Sequence, residues 1–350
     1  MKISSQFIFF YVVIYFVLGR TVVAEEKIRE WTSATGGHKI MAKLVEIKSG
    51  VVTLQKEDGQ NVSISLSKLS VDDQRHVKQS DFGIPAGQER DFGGIQFVWC
   101  PPGTFLMGSP TTEYGRQEDE IQHKVTLTDG FWIAKFECTQ EDYEEITGED
   151  SRSYPRGRSH PVNRVTWNQA MAFCDRLNQK ENAIPDGWKA ALPTEAQWEY
   201  ACRAGSDTAY CFGDDLKELA KYAWYAYSTV KRGGAKPERV GSKRANQWGI
   251  HDMHGNISEW CFDQYGDYSD KPQINPIGPS GRTSSPKRVI RGGASDSGWS
   301  YSGGTESITF QGALDGDGEC RSAWRDKRPE DNVLGKIGFR VVLIPDDKVN

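Results

Sequence analysis

The sequence predicts an α+β protein with little regular secondary structure, in which a small N-terminal β-barrel precedes a larger, irregular domain. Three observations lead there. The 350 residues include 36 glycines and 11 tryptophans, the composition of a loop-heavy fold pinned by aromatic anchors rather than of a regular bundle. Short strand-like runs separated by turn residues fill residues 31–77. Beyond residue 95 the pattern changes to strand pairs followed by three helices that announce their own starts.

The first 24 residues open with Lys2, continue through an apolar run, and finish on Val22-Val23-Ala24, the small-residue pattern of a secretory signal cut before Glu25. An uncleaved anchor is the alternative, opposed by Arg20 and by the shortness of the apolar run. From Trp31 the chain reads as strands. His38 to Lys48 alternates through Ile40, Ala42 and Leu44 and then shifts phase at Val45, as a bulged strand does. Residues 57–60, EDGQ, form a hairpin turn, and Ser70 caps a short helical turn. Residues 78–91 are rich in Gly, Pro and charge and read as a linker.

In the larger domain, FVWCPPGTFLMGS and KVTLTDGFWIAKFECT each read as a strand pair. Thr139 starts a helix that Gly148 stops. Thr166 with Gln169, and Thr194 with Gln197, form capping boxes for WNQAMAFCDRLNQ and EAQWEYACRAG. Trp167, Ala170, Met171, Cys174 and Leu177 share one face of the first; Trp198, Ala201 and Cys202 face inward on the second, which Gly205 stops.

The formal charge of -5 becomes -7 once Lys2 and Arg20 leave with the signal, which argues against a nucleic-acid partner. Outside residues 1–24 no run approaches a membrane span. Seven cysteines enter a compartment that permits disulfides, and no CxxC pair supports a zinc knuckle or redox motif.

Residues 29–77 resemble a small SH3-like homology domain known from a yeast endocytic adaptor, which implies a module that contacts a peptide or protein; an appendage without a ligand is the alternative. FVWCPPGTFLMGS, HPVNRVTWNQAMAFCDRLN, ALPTEAQWEYACRAG, WGIHDMHGNISEWCFDQY, RVIRGG, ECRSAWR and IGFRVV stand in the order and spacing of the formylglycine-generating enzyme family, the sulfatase-modifying factors. The likeness spans residues 92–345. It implies that family's irregular fold, related to C-type lectins, and an enzyme that oxidises a sulfatase cysteine to formylglycine with oxygen and a copper ion held by two cysteine thiolates.

A soft thiolate pair selects Cu(I), and hydroxyl oxygen is a poor substitute. The resemblance places the pair at Ser297 and Ser302, with Ala294 at the serine of the family's RGGS motif. Copper is therefore not expected. The resemblance also implies one structural calcium ion on Asp252, Gly255, Ile257 and Glu259, hard oxygens around a tight turn, and a disulfide between Cys202 and Cys320. The alternative for the turn is that Asp252 and Glu259 only hydrogen-bond it. His251 and His254 stand close enough in sequence to share a metal, but surface histidines are the plainer reading.

The resulting expectation is a secreted or cell-envelope family member that keeps the scaffold as a binding or structural module and has lost the oxidase chemistry. Its partner is a protein or peptide engaged through either domain. The alternatives are a true formylglycine-generating oxidase and an enzyme with a different centre on the same scaffold.

Overall fold

The computed structural model describes residues 28–48, 51–79, 84–151, 153–230, 236–279, 286–297, 301–302, 305–306 and 316–346; the expected signal segment lies outside them. Among the described residues no helix is long and apolar enough to cross a membrane.

The N-terminal domain is an antiparallel meander of β1 (Arg29–Thr32), β2 (Lys39–Lys48), β3 (Val51–Lys56) and β4 (Asn61–Ser65), followed by helix α1 (Val71–Gln79). The expected bulge is real: the β2–β3 register shifts between Leu44 and Glu46. One extra residue there bends β2 and lets so short a sheet curl over its own core. That core is Trp31, Ala42, Leu44, Val52, Leu54, Leu69 and Val77, with the Trp31 indole N–H donating to the Ala42 carbonyl at 2.9 Å. Ser70 caps α1 through the Asp73 amide. The buried Asp73 carboxylate in turn accepts the Thr32 amide at 2.7 Å, which fastens helix to sheet.

The larger domain begins with β5 (Glu89–Phe92), β6 (Ile95–Cys100), β7 (Gly103–Met107), β8 (His123–Leu127) and β9 (Phe131–Ala134). The segment 78–91 is thus taken up at both ends, by α1 and by β5. The two expected strand pairs, β6 with β7 and β8 with β9, do not form: β6 pairs with β9, and β7 with β8. Pro101-Pro102 turns the chain out of one sheet and into the other. Gly103 makes the corner possible, because a Cβ there would stand 2.2 Å from the Tyr200 hydroxyl.

Helices α2 (Gln140–Thr147) and α3 (Trp167–Gln179) precede β10 (Trp188–Ala191) and α4 (Glu195–Arg203). All three helices carry complete capping boxes, at Thr139, Thr166 and Thr194. Gly148 ends α2 in the left-handed conformation, φ 71°; α4 is instead ended by Ala204 at φ 47°, one residue before the expected Gly205. Phe173 joins the buried face of α3, and Met171 is only half-buried.

Short helices α5 (Leu219–Tyr222) and α6 (Ala226–Val230) lead to β11 (Ser258–Gln264), β12 (Gln273–Ile274), β13 (Lys287–Arg291), β14 (Tyr301–Ser302), β15 (Thr305–Glu306), β16 (Asp326–Pro329), β17 (Ile337–Gly338) and β18 (Val342–Pro345). The strands form sheets ordered β10-β18-β9-β6-β5, β16-β13-β11-β17 and β12-β8-β7, with β14-β15 as a hairpin. Tryptophans fasten these pieces as the composition suggested: the indole of Trp260 donates to the Val165 carbonyl and that of Trp167 to the Cys261 carbonyl, both at 2.9 Å.

Candidate functional site

Strand β13 delivers the chain into Gly292 and Gly293, at φ 97° and 68°. Their conformation and their surroundings both demand glycine. A Cβ on Gly293 would meet the Glu319 carbonyl at 2.8 Å and the Cys320 sulfur at 3.0 Å, and one on Gly292 would meet the Trp198 ring at 3.1 Å. The double glycine therefore lets β13 lie against the short 3-10 turn Gly316–Cys320.

Ser297 follows on this wall and is buried. Its hydroxyl accepts the Ala294 amide N–H at 2.8 Å, and its own amide donates to the Ala294 carbonyl at 2.9 Å. The hydroxyl also bonds the Glu319 carboxylate, whose pKa is raised by burial and held back by that bond. Glu319 lies in a stretch whose acidic, glycine-rich sequence reads as a solvated loop, so only the fold brings it to Ser297. Among the described residues no imidazole is bonded to Ser297, whose side-chain partners are Ala294 and Glu319. His254 is buried with both nitrogens engaged: Nε2 accepts the Cys211 amide at 3.1 Å and Nδ1 donates to the Cys320 carbonyl at 2.8 Å. His251 Nδ1 lies 2.9 Å from the Lys243 carbonyl, so the two histidines are committed to separate backbone groups. Ser302 lies on β14, paired with Thr305.

The second cluster is the turn before β11. Gly255 passes so close to Trp224 that a Cβ would stand 2.4 Å from its carbonyl oxygen. Asp252 and Asn256 both adopt left-handed backbone, φ 61° and 70°. Asp252 Oδ2 accepts the Gly241 amide at 2.7 Å, while Oδ1 is buried without a partner among the described residues. Glu259 is clasped by Arg340 through two bonds of 2.6 Å and also accepts the Trp198 indole at 2.7 Å. Glu137 accepts the Asn256 side-chain amide at 2.6 Å and the Ile257 backbone amide at 3.1 Å.

Desolvation pushes the Asp252 carboxyl up to about 6 and raises Glu137 well above the carboxylate range, with Asp252 and Glu259 adding repulsion to Glu137. Three buried carboxylates thus face one guanidinium. Among the described residues no three such side chains are arranged to hold a metal ion by themselves, so the fit to a hard cation rests on the unpartnered Asp252 oxygen together with backbone carbonyls of the turn. Glu259 would have to share oxygens already held in the Arg340 fork. Sequence reasoning missed Glu137, Asn256 and Arg340; the adjacent Asn of the turn was within reach, but its distant partners carried no local signal.

The expected Cys202–Cys320 bridge is corrected by the structure. Both residues are buried, yet no disulfide joins them. The Cys202 thiol turns instead to the Met253 carbonyl at 3.6 Å and the Ser322 hydroxyl at 3.7 Å, with the His254 ring at 3.9 Å. Burial pushes Cys202 up to about 12 and raises Cys100, Cys138, Cys174 and Cys261 as well. Such thiols are poorly reactive, since the thiolate is the nucleophile and the metal ligand.

An irregular α+β domain with tryptophan-fastened sheets, a glycine-serine wall and a carboxylate-lined turn defines a sulfatase-modifying-factor class of fold. The chain belongs to that family: residues 82–344 match the model of the sulfatase-modifying factor enzyme 1-like domain. Residues 21–82 match the SLA1 homology domain 1. A formylglycine-generating enzyme of Streptomyces coelicolor is 32% identical over 206 residues, 55% of each chain. The chaperone protein LppX of Paenibacillus barcinonensis is 27% identical over 237 residues, covering 55% of this chain and 78% of that one. Among solved structures, PvdO from Pseudomonas aeruginosa superposes with TM-score 0.59 at 26% identity, over 74% of this chain and 98% of that one. Treponema denticola variable protein 1 does so with TM-score 0.57 at 25% identity, over 73% and 98%.

Proposed function

We propose that this protein is a secreted family member in which the scaffold serves as a binding or structural module and the copper-thiolate oxidation has been given up. The observation that carries this reading is Ser297. At the first position where the family resemblance calls for a thiolate stands a buried hydroxyl, already spent on the Ala294 amide and the Glu319 carboxylate. A neutral hydroxyl in that role does not fit the soft-donor demand of Cu(I), and no step is routed through copper.

A single calcium ion belongs to the same reading, as a structural ion. Asp252 and Glu259 would supply anionic oxygens and Gly255 and Ile257 their carbonyls, with Glu137 and Arg340 holding the turn from behind. The ion would supply charge balance and no chemistry.

The N-terminal domain supplies the contact with a protein or peptide. A groove of about 490 Å³ runs beside Trp31, Ile40, Val62 and Ile64, with His38 and Lys68 on its walls. An apolar floor with polar walls is the form such recognition takes. Residues 1–24 carry the export signal in this account.

The deciding experiment incubates the purified protein with a Cys-x-Pro-x-Arg peptide, Cu(I) and oxygen and follows the peptide by mass spectrometry. Unchanged peptide is expected. Turnover to the aldehyde would establish the oxidase instead.

A further inference from the structure

We infer that the N-terminal domain joins two copies of this chain, edge to edge along β4 about a two-fold axis through Ser63. The inference rests on the reading of this domain as a contact module and names its partner, a second copy of the same chain.

The two edges of the four-stranded sheet are finished differently. On the β1 side the Thr32 carbonyl accepts the Ser70 amide at 2.8 Å, the Thr32 amide goes to Asp73 at 2.7 Å, and Ser33 bridges to Leu69. That edge is closed. Strand β4 carries no further strand among the described residues, and its sequence NVSIS holds none of the devices that blunt an edge: no charge, no proline and an unbroken register with β3. Asn61 and Ser63 on it are exposed.

The outward backbone groups follow from the hairpin. The Lys56 amide donates to the Gln60 carbonyl at 2.9 Å, and antiparallel pairing alternates from there. Val62 and Ile64 therefore turn their N–H and C=O groups to β3, and Asn61, Ser63 and Ser65 turn theirs away, as a fifth strand requires.

The sequence then selects the partner. Pairing β4 with its own copy about Ser63 sets Ser63 opposite Ser63, Asn61 opposite Ser65 and Val62 opposite Ile64, an order of polar and apolar residues that reads the same in both directions. The polar pairs exchange backbone bonds, while Val62 and Ile64, half-buried beside the groove, cover each other. A slip of one residue would set both of them against polar neighbours. Charge agrees with this register: carried past the strand ends, the same axis brings the exposed Lys68 of one copy towards the exposed Asp58 of the other, twice. Five residues make a small contact, so the association is weak and reversible.

The test follows the purified full chain by sedimentation from about 1 to about 300 μM, a range suited to a weak dimer. A monomer–dimer equilibrium is expected. Ser63→Pro removes the central N–H from both copies at an edge position where proline is tolerated, so the variant should fold and associate about tenfold more weakly. Ser63→Cys should crosslink the dimer with oxidised glutathione, because hydrogen-bonded partners stand about 5.5 Å apart at Cα, whereas Ser65→Cys, opposite Asn61, should not. Lys68→Asp and Asp58→Lys should each weaken association alone and restore it when the two variants are mixed. A chain that stays monomeric, undiminished association of Ser63→Pro, or equal crosslinking at 63 and 65 would each overturn the pairing. If the monomeric chain captured peptides from a displayed random library, the domain would remain a contact module with a foreign partner; if it captured none, that reading would fall as well.

Discussion

The turn at Asp252–Glu259 and the wall at Gly292–Ser297 touch each other, and they are built in opposite ways. The Ser295 amide donates to the Asn256 carbonyl at 2.8 Å, and the Ser258 hydroxyl to the Gly293 carbonyl at 3.1 Å. On one side of these bonds lie three buried carboxylates and a guanidinium. On the other lie close backbone packing and a serine hydroxyl consumed as a local cap. The turn concentrates electrostatic free energy in a few side chains, whereas the wall spreads its stability over backbone contacts that any reactive side chain would disturb. A scaffold can therefore keep the first as an organising centre while the second loses its chemistry.

The contrast is broken most severely at Arg340. Arg340→Met leaves Glu259 buried without its partner, and a loss of about 3–5 kcal/mol is expected in urea unfolding. A loss below about 1 kcal/mol would mean that the charges are not the organising element. Calcium sharpens the same side: about 1 mM calcium against chelator should raise the melting temperature, by an amount corresponding to about 2.7 kcal/mol if that is a hundred times Kd. Asp252→Ala should abolish the rise, and an unmoved transition in the wild type would remove the ion from the proposal.

A third expectation concerns Asp263, whose carboxyl is pushed up to about 8, first by burial and then by Glu195. Its unfolded value is about 3.9, so between those limits the native state holds a proton that the unfolded chain has released. By linkage, this group's contribution to stability falls as pH rises from about 4 to about 8. Asp263→Asn keeps an acceptor for the Glu195 amide, now bonded at 2.8 Å, and should flatten that slope in a series of melting curves. A wild-type slope unchanged by the variant would reassign the titration. The smallest effect belongs to the wall: Ser297→Ala should cost only about 1–2 kcal/mol, the stranding of one amide, and leave calcium binding intact.

What could be read beforehand divides along the same line between local and distant interactions. Thr166 with Gln169, and Thr194 with Gln197, gave away their helices because a capping box closes within four residues. The phase shift at Val45 gave away the bulge for the same reason. The pairing of β6 with β9 was hidden, since the two strands read alike whichever neighbour they take. At the turn, Asp252 and Glu259 were legible from the family likeness, but Glu137 and Arg340 come from elsewhere in the chain.

Glu137 also bears on the order in which the molecule assembles. It holds Asn256 across 119 residues of chain, so the turn keeps only its nearer holds, such as the Gly241 amide on Asp252, until the segment after β9 has met the region before β11. Closure over such a span is entropically slow. The capping boxes close within four residues and need no distant partner, whereas the anionic pocket matures late, which would delay any metal capture until tertiary assembly is nearly finished.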